Sequence, residues 1–218
     1  MSRIAIVGGH GKIALHLIGL LAAKGHTPLA LVRNLDYSAE LEGLGATVGI
    51  LDIEQSADVD FAAVFEGCDA IVFAAGGGPD GNVERKRTVD LEGSLKSISG
   101  ARIAGIRRFV QISAIGVDNP VAGDAGEVWT AYVEAKRDAD VALRASDLDW
   151  TIIRPGALTD EEPTGLVSLA EETGRGPIPR ADVAAILAAA LDDPRTIGKQ
   201  WEAIGGTTPI ADAIDSLV

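Results

Sequence analysis

Apolar residues along the chain follow two alternating patterns. Short runs rich in Ile and Val are apolar almost throughout, which is typical of strands covered on both faces. These runs are Arg3 to Val7, Pro28 to Val32, Ala46 to Ile50, Ala70 to Phe73, Arg108 to Ile112, Trp150 to Arg154 and Gln200 to Ile204. Longer segments between them space apolar residues three and four apart and therefore predict helices. The predicted helices are Lys12 to Lys24, Ala57 to Phe65, Val83 to Ala104, Ala131 to Ala145 and Ala181 to Leu191.

The order of these elements predicts the fold class. Strands that alternate with helices form right-handed βαβ crossovers, so we expect an α/β fold with a doubly wound, mostly parallel sheet. We expect one domain, with a core over residues 1–155, substrate loops over 156–180 and a helix–strand–helix unit over 181–218. Gly93 and Gly100 weaken the helical pattern between Val83 and Ala104.

Three irregular segments indicate where a ligand would bind. They are Gly76 to Gly81, Gly116 to Gly126 and Gly156 to Pro179, and each follows a predicted strand. In an open parallel sheet, ligands bind beyond the carboxyl ends of the strands. We therefore expect these segments to form the walls of a site.

Composition excludes several classes of function. The 218 residues include 32 acidic and 19 basic side chains, and the net charge of −13 disfavours binding to nucleic acids and to anionic membranes. No stretch reaches the roughly 20 apolar residues of a membrane span, and no signal peptide is expected. Cys68 is the only cysteine, so a disulfide and a cysteine-based zinc site are excluded and a cytoplasmic location is expected. The three histidines form no metal-binding pattern.

A glycine-rich loop follows the first strand directly. The sequence from Gly8 to Ala14 reads GGHGKIA, and its last residues already belong to the first helix. Gly8 would allow the turn, Gly11 would let the backbone approach a diphosphate, and Ala14 would allow close packing of the helix. The helix amides and dipole would then face the phosphates of a dinucleotide. An ordinary turn is the alternative, but the strand–loop–helix context favours binding.

The end of the second strand bears on which dinucleotide binds. Arg33 stands where an arginine would accommodate a 2′-phosphate, which favours NADP over NAD. Asp36 could still serve the ribose hydroxyls of NAD. A solvated charge at a strand end is the alternative for Arg33.

Two further strand ends supply candidate contacts. Asp52, after the third strand, could accept a hydrogen bond from an adenine amino group or could equally cap a helix. Ala74, Ala75 and Gly76, after the fourth strand, would leave space for the dinucleotide, although a flexible loop would have the same composition.

A candidate catalytic set follows the fifth strand. Ser113 stands at the strand end, and Tyr132 and Lys136 are four residues apart, so both would project from one helix face. The ammonium of Lys136 would favour the phenolate and lower the pKa of Tyr132. Tyr132 would then exchange a proton with a substrate oxygen that Ser113 holds by a hydrogen bond. An accidental surface pair is the alternative.

These features together resemble the short-chain dehydrogenase/reductase superfamily. The likeness is to its atypical NAD(P)H-binding branch, which includes relatives of flavin reductase and biliverdin reductase B, and it spans Arg3 to about Leu217. The segments that carry it are Gly8 to Ala14, Leu31 to Asn34, Arg107 to Ser113, Tyr132 with Lys136, and Thr151 to Gly156.

The resemblance implies a cofactor and its contacts. It implies a Rossmann fold with NADP phosphates on the glycine loop, the 2′-phosphate at the second strand end, and carboxamide contacts from the turn after the sixth strand. It also implies catalytic roles for Ser113, Tyr132 and Lys136. The residues it places at the cofactor are Gly8, His10, Gly11, Lys12, Ile13, Arg33, Asn34, Asp52, Ile53, Ala74, Ala75, Gly76, Lys136, Pro155 and Gly156.

Two hypotheses for function follow. The first is an NADP(H)-binding oxidoreductase that transfers hydride to or from a small carbonyl, quinone or flavin acceptor. The second is a nonenzymatic protein that senses NADP(H) and changes its partner contacts. Sugar-nucleotide epimerisation is disfavoured because the chain is short for a second nucleotide-binding domain, and a GxSxG hydrolase elbow is absent. The superfamily commonly associates through helices, which suggests a homodimer.

Overall fold

Eleven strands and eight α-helices make up the chain. The computed structural model describes all 218 residues, Met1 to Val218. The strands are β1 (Arg3–Val7), β2 (Thr27–Val32), β3 (Thr47–Ile50), β4 (Ala70–Phe73), β5 (Arg108–Ile112), β6 (Asp149–Pro155), β7 (Ala157–Thr159), β8 (Leu166–Ala170), β9 (Pro177–Pro179), β10 (Lys199–Gly205) and β11 (Thr208–Pro209). The helices are α1 (Lys12–Ala23), α2 (Ser38–Gly43), α3 (Asp58–Phe65), α4 (Val83–Arg85), α5 (Glu92–Ile103), α6 (Glu127–Arg144), α7 (Arg180–Asp192) and α8 (Ile210–Asp215).

Nine strands form one mostly parallel sheet. Its order is β11-β8-β10-β6-β5-β4-β1-β2-β3, and β7 pairs with β9 in a separate two-stranded sheet. The seven strands from β3 to β10 run parallel, whereas β8 is antiparallel to both β10 and β11. From β1 the sheet grows in one direction through β2 and β3 and in the other through β4, β5 and β6. Such sheets bind ligands at this switch point, between β1 and β4. The predicted doubly wound, single-domain α/β fold is confirmed.

Apolar side chains fill a layer on each face of the sheet. On one face, Leu17 and Leu21 of α1 and Ile186 of α7 belong to a core of 28 buried residues. On the other, Phe61 and Phe65 of α3 belong to a core of 19 buried residues. Burial of one such side chain stabilises the fold by about 1.5–3 kcal/mol. The double covering explains why the predicted strands are apolar almost throughout.

The longest predicted helix is continuous but changes its winding. A π-helical turn, Lys86–Leu91, joins α4 to α5, and this turn is called the π segment below. The two glycines that weakened the prediction lie in α5 at points of close packing. A Cβ on Gly93 would lie 2.5 Å from Cγ2 of Ile53, and one on Gly100 would lie 2.6 Å from Cβ of Phe61. Glycine at both positions therefore lets α5 approach the neighbouring segments.

Among the α-helices, the prediction differs from the structure by more than one residue at two places. Helix α6 begins at Glu127, four residues before the predicted Ala131, because Gly126 (φ 80°) ends the preceding loop and the acidic Glu127 suits a first turn. The segment that follows β2 was not predicted to be helical, yet it contains a 3₁₀ turn, Leu35–Tyr37, and α2. These elements are too short to show a helical period.

The region predicted as substrate loops, residues 156–180, contains three strands. Strand β8 pairs with β10, and its Val167 and Leu169 point into the core with period two. The five-residue alternation was missed because it is short and lies between glycine-containing segments. The stretches between β7, β8 and β9 remain irregular.

Candidate functional site

The glycine loop after β1 is held close to two neighbouring strands. Gly8 has φ 82°, a conformation that favours glycine, and a Cβ there would lie 2.8 Å from Cα of Ala75. A Cβ on Gly9 would lie 2.8 Å from both Cα and Cβ of Ala30 in β2. The amide of Gly11 donates to the carbonyl of Gly8 (2.9 Å) and closes the turn. Sequence reasoning assigned the turn to Gly8 correctly but overlooked the packing role of Gly9.

The amino end of α1 is open to an anion. No side chain caps it, and its first turn contains no acidic residue. The amides of Lys12 and Ile13 have no protein acceptor, whereas Leu15 donates to the carbonyl of Gly11. Free amides at a helix start bind phosphate with the help of the helix dipole. This end therefore fits a dinucleotide diphosphate.

An open cleft of 2770 Å³ runs from this loop to β10. It brings together residues that lie far apart in the sequence, and most of the predicted site residues line it. The predicted residues that line it are His10, Gly11, Lys12, Ile13, Ala74, Ala75, Gly76, Ser113, Tyr132, Lys136, Pro155 and Gly156.

Five predicted cofactor residues do not line this cleft, and two of them end β2. The five are Gly8, Arg33, Asn34, Asp52 and Ile53. Of the 19 lysines and arginines, only Arg33 and Arg175 form no hydrogen bond or salt bridge within the protein. The side chain of Asn34 bonds Asp36 twice, by accepting from its amide (3.0 Å) and by donating to its carboxylate (2.7 Å). The guanidinium of Arg33 is thus exposed and has no protein partner, whereas Asp36 is hydrogen-bonded to Asn34.

Asp52 and Ile53 serve the turn after β3. Asp52 accepts from the amides of Glu54 (3.0 Å) and Gln55 (3.2 Å) and so caps this turn. The carbonyl of Ile53 accepts from Nζ of Lys96 (3.0 Å). One carboxylate oxygen of Asp52 therefore acts as a cap, as the alternative interpretation of the sequence proposed. A contact between Asp52 and adenine stays a prediction.

Two side chains of the glycine loop contact other segments. His10 stacks on Tyr37 at 3.7 Å between ring centroids, and its Nε2 lies 2.9 Å from the carboxylate of Glu40. Lys12 pairs with Asp160, which also pairs with Arg180. The hydrogen bond from Lys12, with the charge of Arg180, holds the pKa of Asp160 below its usual value.

The turn after β4 lies against a buried carboxylate. Asp90 of the π segment is 1% exposed, and its Oδ2 accepts from the amide of Gly77 (2.9 Å). A Cβ on Gly76 would lie 3.1 Å from Oδ1 of Asp90, so a small residue is needed there. Asp90 thereby fixes the backbone that runs along the cleft from Ala74 to Gly77.

Lys136 is buried beside this carboxylate. Its Nζ lies 3.1 Å from Oδ1 of Asp90, donates to the carbonyl of Ile112 (3.3 Å) and stands 5.9 Å from the ring centre of Phe73. Burial is the largest single effect and lowers the pKa of Lys136, but the charge and hydrogen bond of Asp90, together with Tyr132 and Asp140, outweigh it and the net shift is upward. Lys136 is therefore a fixed positive charge under the cleft.

Tyr132 lies in the same cleft, but its pKa differs from the expectation. Burial raises the pKa of Tyr132 above its usual value; Lys136 opposes this, and Asp90 and Asp140 add to it. The predicted lowering was wrong because the two carboxylates and desolvation outweigh one ammonium. The ring packs against Trp129, with 5.5 Å between the two centroids. At rest, Tyr132 is therefore a neutral phenol.

Ser113 donates its hydroxyl proton to a protein carboxylate. Its Oγ donates to Oδ2 of the fully buried Asp140 (2.7 Å), and Nε2 of Gln111 donates to the other oxygen (2.8 Å). Arg154 lies 2.8 Å from the same carboxylate and also pairs with Asp118 (2.6 Å). In the sequence interpretation the hydroxyl of Ser113 binds a substrate oxygen, but in the structure it donates its hydrogen bond to Asp140. A catalytic role for Ser113 stays a prediction.

The turn after β6 is tightly packed. The amide of Gly156 donates to the carbonyl of Ala203 (2.9 Å), and a Cβ on Gly156 would lie 2.2 Å from the carbonyl oxygen of Gly176. The carbonyl of Pro155 accepts from the amide of Ile115 (3.1 Å). Only glycine fits at position 156.

Sequence reasoning missed three buried carboxylates at the site. Asp140 follows Lys136 by four residues, so helical spacing could have placed it on the same face. Asp90 lies in the predicted helix from Val83 to Ala104, where no sequence motif pointed to a binding or catalytic residue. Glu202 of β10 accepts from the amides of Gly116 and Thr173 (2.9 Å each) and joins two walls of the cleft.

Two absences complete the description of the chain. The structure contains no group of three or more His, Cys, Asp or Glu side chains that could hold a metal ion. None of its helices combines the length and the apolar character needed to cross a bilayer.

Comparison with known protein families gives an extensive match. A family model described as NAD(P)H-binding matches residues 8–194. The chain is 39% identical over 216 residues to YhfK of Bacillus subtilis (strain 168), which is named an uncharacterized sugar epimerase. The match covers 99% of this chain and 100% of YhfK.

Solved structures show the same architecture. A putative NAD-dependent epimerase/dehydratase from Bacillus halodurans is 39% identical with a TM-score of 0.92, and the match covers 100% of both chains. A short-chain dehydrogenase/reductase from Veillonella parvula DSM 2008, solved in complex with NADP, is 20% identical with a TM-score of 0.71. That match covers 93% of this chain and 94% of the other, and at this identity it supports the fold alone.

Proposed function

The chain belongs to the NAD(P)H-binding family, and from this premise we propose that it is an NADP(H)-dependent oxidoreductase acting on a small carbonyl, quinone or flavin acceptor. One observation carries the proposal. The uncapped start of α1, the turn after β4 and the pair Tyr132 and Lys136 all face one cleft. A diphosphate-binding end and a proton donor therefore stand in the same space.

The preference for NADP rests on the end of β2. Arg33 has no partner within the protein, so its guanidinium can bind a 2′-phosphate through two parallel hydrogen bonds without breaking an existing contact. Asp36, the residue that would favour NAD, is bound by Asn34. The positive charge of Arg33 and its lack of a protein partner thus both favour NADP over NAD.

The side chains have distinct parts in the reaction. When bound, the cofactor supplies or accepts a hydride. The amides of Lys12 and Ile13 hold the diphosphate, and the closely packed turn at Gly76 leaves room along β4. Tyr132 donates a proton to the acceptor oxygen, and Lys136 stabilises the phenolate that remains. Quinone and flavin acceptors depend on Tyr132 less, since their reduction relies mainly on orientation.

Calorimetric titration with NADPH and NADH tests the binding step. We expect saturable binding of NADPH at micromolar concentration and at least tenfold weaker binding of NADH. Equal affinities would remove the NADP preference. No binding of either dinucleotide at millimolar supply would remove the proposed function.

Oxidation of NADPH in the presence of varied acceptors tests the chemistry. With a carbonyl acceptor, Tyr132→Phe should lower kcat by about 10²–10⁴-fold. Thr130→Val is the matched control, because it removes a hydroxyl from the same helix outside the cleft. The acceptors should include a sugar nucleotide, in view of the names of the relatives. Conversion of that compound without net NADPH oxidation would favour epimerisation instead.

One observation favours a nonenzymatic NADP(H) sensor as a second candidate. The hydroxyl proton of Ser113 is held by Asp140, and Tyr132 is a neutral phenol, so the set is not arranged as an activated base. A sensor would bind NADPH but leave every acceptor unreduced. The affinity of a sensor for its partner would change when NADPH binds. This change would also be seen in a Tyr132→Phe, Lys136→Ala variant.

A further inference from the structure

Asp90 is a buried carboxylate with two contacts, one on each side. Its Oδ1 lies 3.1 Å from Nζ of Lys136, and its Oδ2 accepts from the amide of Gly77 (2.9 Å). The π segment that carries it is an irregular winding of a kind often found at functional sites. Asp90 thus connects the ammonium under the cleft to the turn after β4.

The other charged groups near Lys136 have their own partners. Lys86, also in the π segment, donates to the carbonyl of Gly78 and lies 4.0 Å from Asp80. Asp140, on α6, lies 2.8 Å from a guanidinium nitrogen of Arg154 on β6. The strands below contribute only the ring of Phe73 and the carbonyl of Ile112. Asp90 is therefore the carboxylate that balances the charge of Lys136.

We propose that Asp90 is a positioning residue: as the buried counter-ion of Lys136 it fixes the ammonium under the cleft and offsets its charge, so that less of that charge acts on Tyr132, the proton donor of the reaction. This inference rests on the proposed function for its chemical meaning. In carbonyl reduction, hydride from the reduced dinucleotide supplies the electron pair of the new C–H bond. The O–H bond of Tyr132 breaks, its proton forms the product hydroxyl, and the phenolate is left beside Lys136.

The electrostatics of the site agree with this role. Burial raises the pKa of Tyr132, Lys136 opposes it, and Asp90 is the next contributor and raises it further. A phenol whose pKa lies above its ordinary value of about 10 is protonated over the whole neutral range. The resting phenol is then in the form that reduction of an acceptor needs, whereas oxidation of an alcohol starts from the phenolate.

The chain contains only two tyrosines, which makes a direct test practical. In a Tyr37→Phe protein, ultraviolet absorbance of tyrosinate reports Tyr132 alone, without cofactor or substrate. Adding Asp90→Asn should move the midpoint of this titration to clearly lower pH. Asp182→Asn is the matched control, since Asp182 is equally buried and accepts from the backbone amide of Gly165 but does not contact Lys136.

A second comparison covers the case in which Asp90→Asn fails to fold because it strands a buried ammonium. Lys136→Met in the Tyr37→Phe background should raise the midpoint, because the opposing positive charge is gone. Adding Asp90→Asn to that protein removes both partners of the ion pair, which costs less than removing one. Its midpoint should fall below that of Lys136→Met, and Asp90→Glu alone should restore the midpoint towards the starting value.

The outcomes separate this inference from the proposed function. An unchanged midpoint on removal of Asp90, alone and in the Lys136→Met protein, would overturn the role of Asp90. An equal shift in Asp182→Asn would do the same, because the effect would then not be specific. The titration needs no dinucleotide, so failure to bind NADPH would remove the proposed function and leave this result standing.

Discussion

At the scale of single residues, the site is defined by which polar groups already have partners. Arg33 has none, whereas the proton of Ser113 and the charge of Lys136 are held by Asp140 and Asp90. A side chain without a protein partner can bind a ligand at no cost in existing contacts. A side chain that already has a partner must give up that contact before it can bind a ligand in the same way. The phenol of Tyr132 lines the cleft and, under the proposed function, gives up its proton.

Arg33→Ala should lower the affinity for NADPH by about ten- to a hundredfold, since a bidentate contact to phosphate is lost. Binding of NADH should change less than about threefold, because that dinucleotide lacks the phosphate. Titration calorimetry measures both constants. Arg102→Ala, an exposed arginine outside the cleft, is the control. A parallel loss for both dinucleotides would assign Arg33 to general electrostatics instead.

Gly9→Ala should destabilise the protein by about 1–3 kcal/mol, because its Cβ would overlap Ala30 of β2. Gly19→Ala, in the middle of α1, meets no atom within 4 Å and should stabilise by about 0.5–1 kcal/mol. Denaturant unfolding of both variants measures the two free energies. Equal effects would show that the contact between Gly9 and β2 is not tight.

At the scale of elements, buried polar contacts position the loops that form the cleft. The π segment delivers Asp90 beneath the turn after β4, and β10 delivers Glu202 between two walls. Glu202 accepts from Gly116 in the loop before α6 and from Thr173 in the loop before β9. Loops far apart in the sequence are thus held at one separation by a single side chain.

Glu202→Gln should loosen at least one of the two loops, because an amide offers one acceptor oxygen where the carboxylate offers two. One of the two half-buried amide donors would lose its partner, at a cost of about 0.5–1.5 kcal/mol. Hydrogen exchange at Gly116 and Thr173 should accelerate at one or both positions. Glu172→Gln, an exposed neighbour, should leave both rates unchanged. Unaltered exchange in the Glu202 variant would show that the loops are held by other contacts.

At the scale of the whole molecule, the cleft joins parts of the chain from the first loop to the C-terminal residues after α8. Its walls include His10 near one end of the sequence and Leu217 near the other. A ligand that contacts both would bind the folded state only, so binding should stabilise the complete fold.

NADPH at 100 times its Kd should raise the free energy of unfolding by about 2.7 kcal/mol. Denaturant unfolding at several NADPH concentrations measures the effect, which should grow with the logarithm of concentration. The net charge of −13 makes general salt stabilisation a competing cause, so sodium chloride of equal ionic strength is the control. Equal stabilisation by that salt would argue against specific binding.

The sequence alone determined the seven parallel strands of the sheet, the glycine loop and the position of Tyr132 and Lys136 on one helix. Strands β1, β4 and β5 were predicted to the residue because their Ile-, Val- and Phe-rich runs are bounded by polar or small residues. The loop at Gly8 was predictable since its glycines lie between a strand and a helix. Such patterns are local: they depend on the period of a helix or strand and on the next few residues.

The tertiary structure alone decided the chemistry around that helix. Asp90 and Lys136 are 46 positions apart, and Ser113 and Asp140 are 27 apart. Their contacts depend on how two helices pack against the strands below them, to within an ångström or two. The sign of the pKa shift of Tyr132 follows from those distances and from burial, which no local spacing encodes. Sequence pattern therefore sets the elements, and packing sets which charges meet.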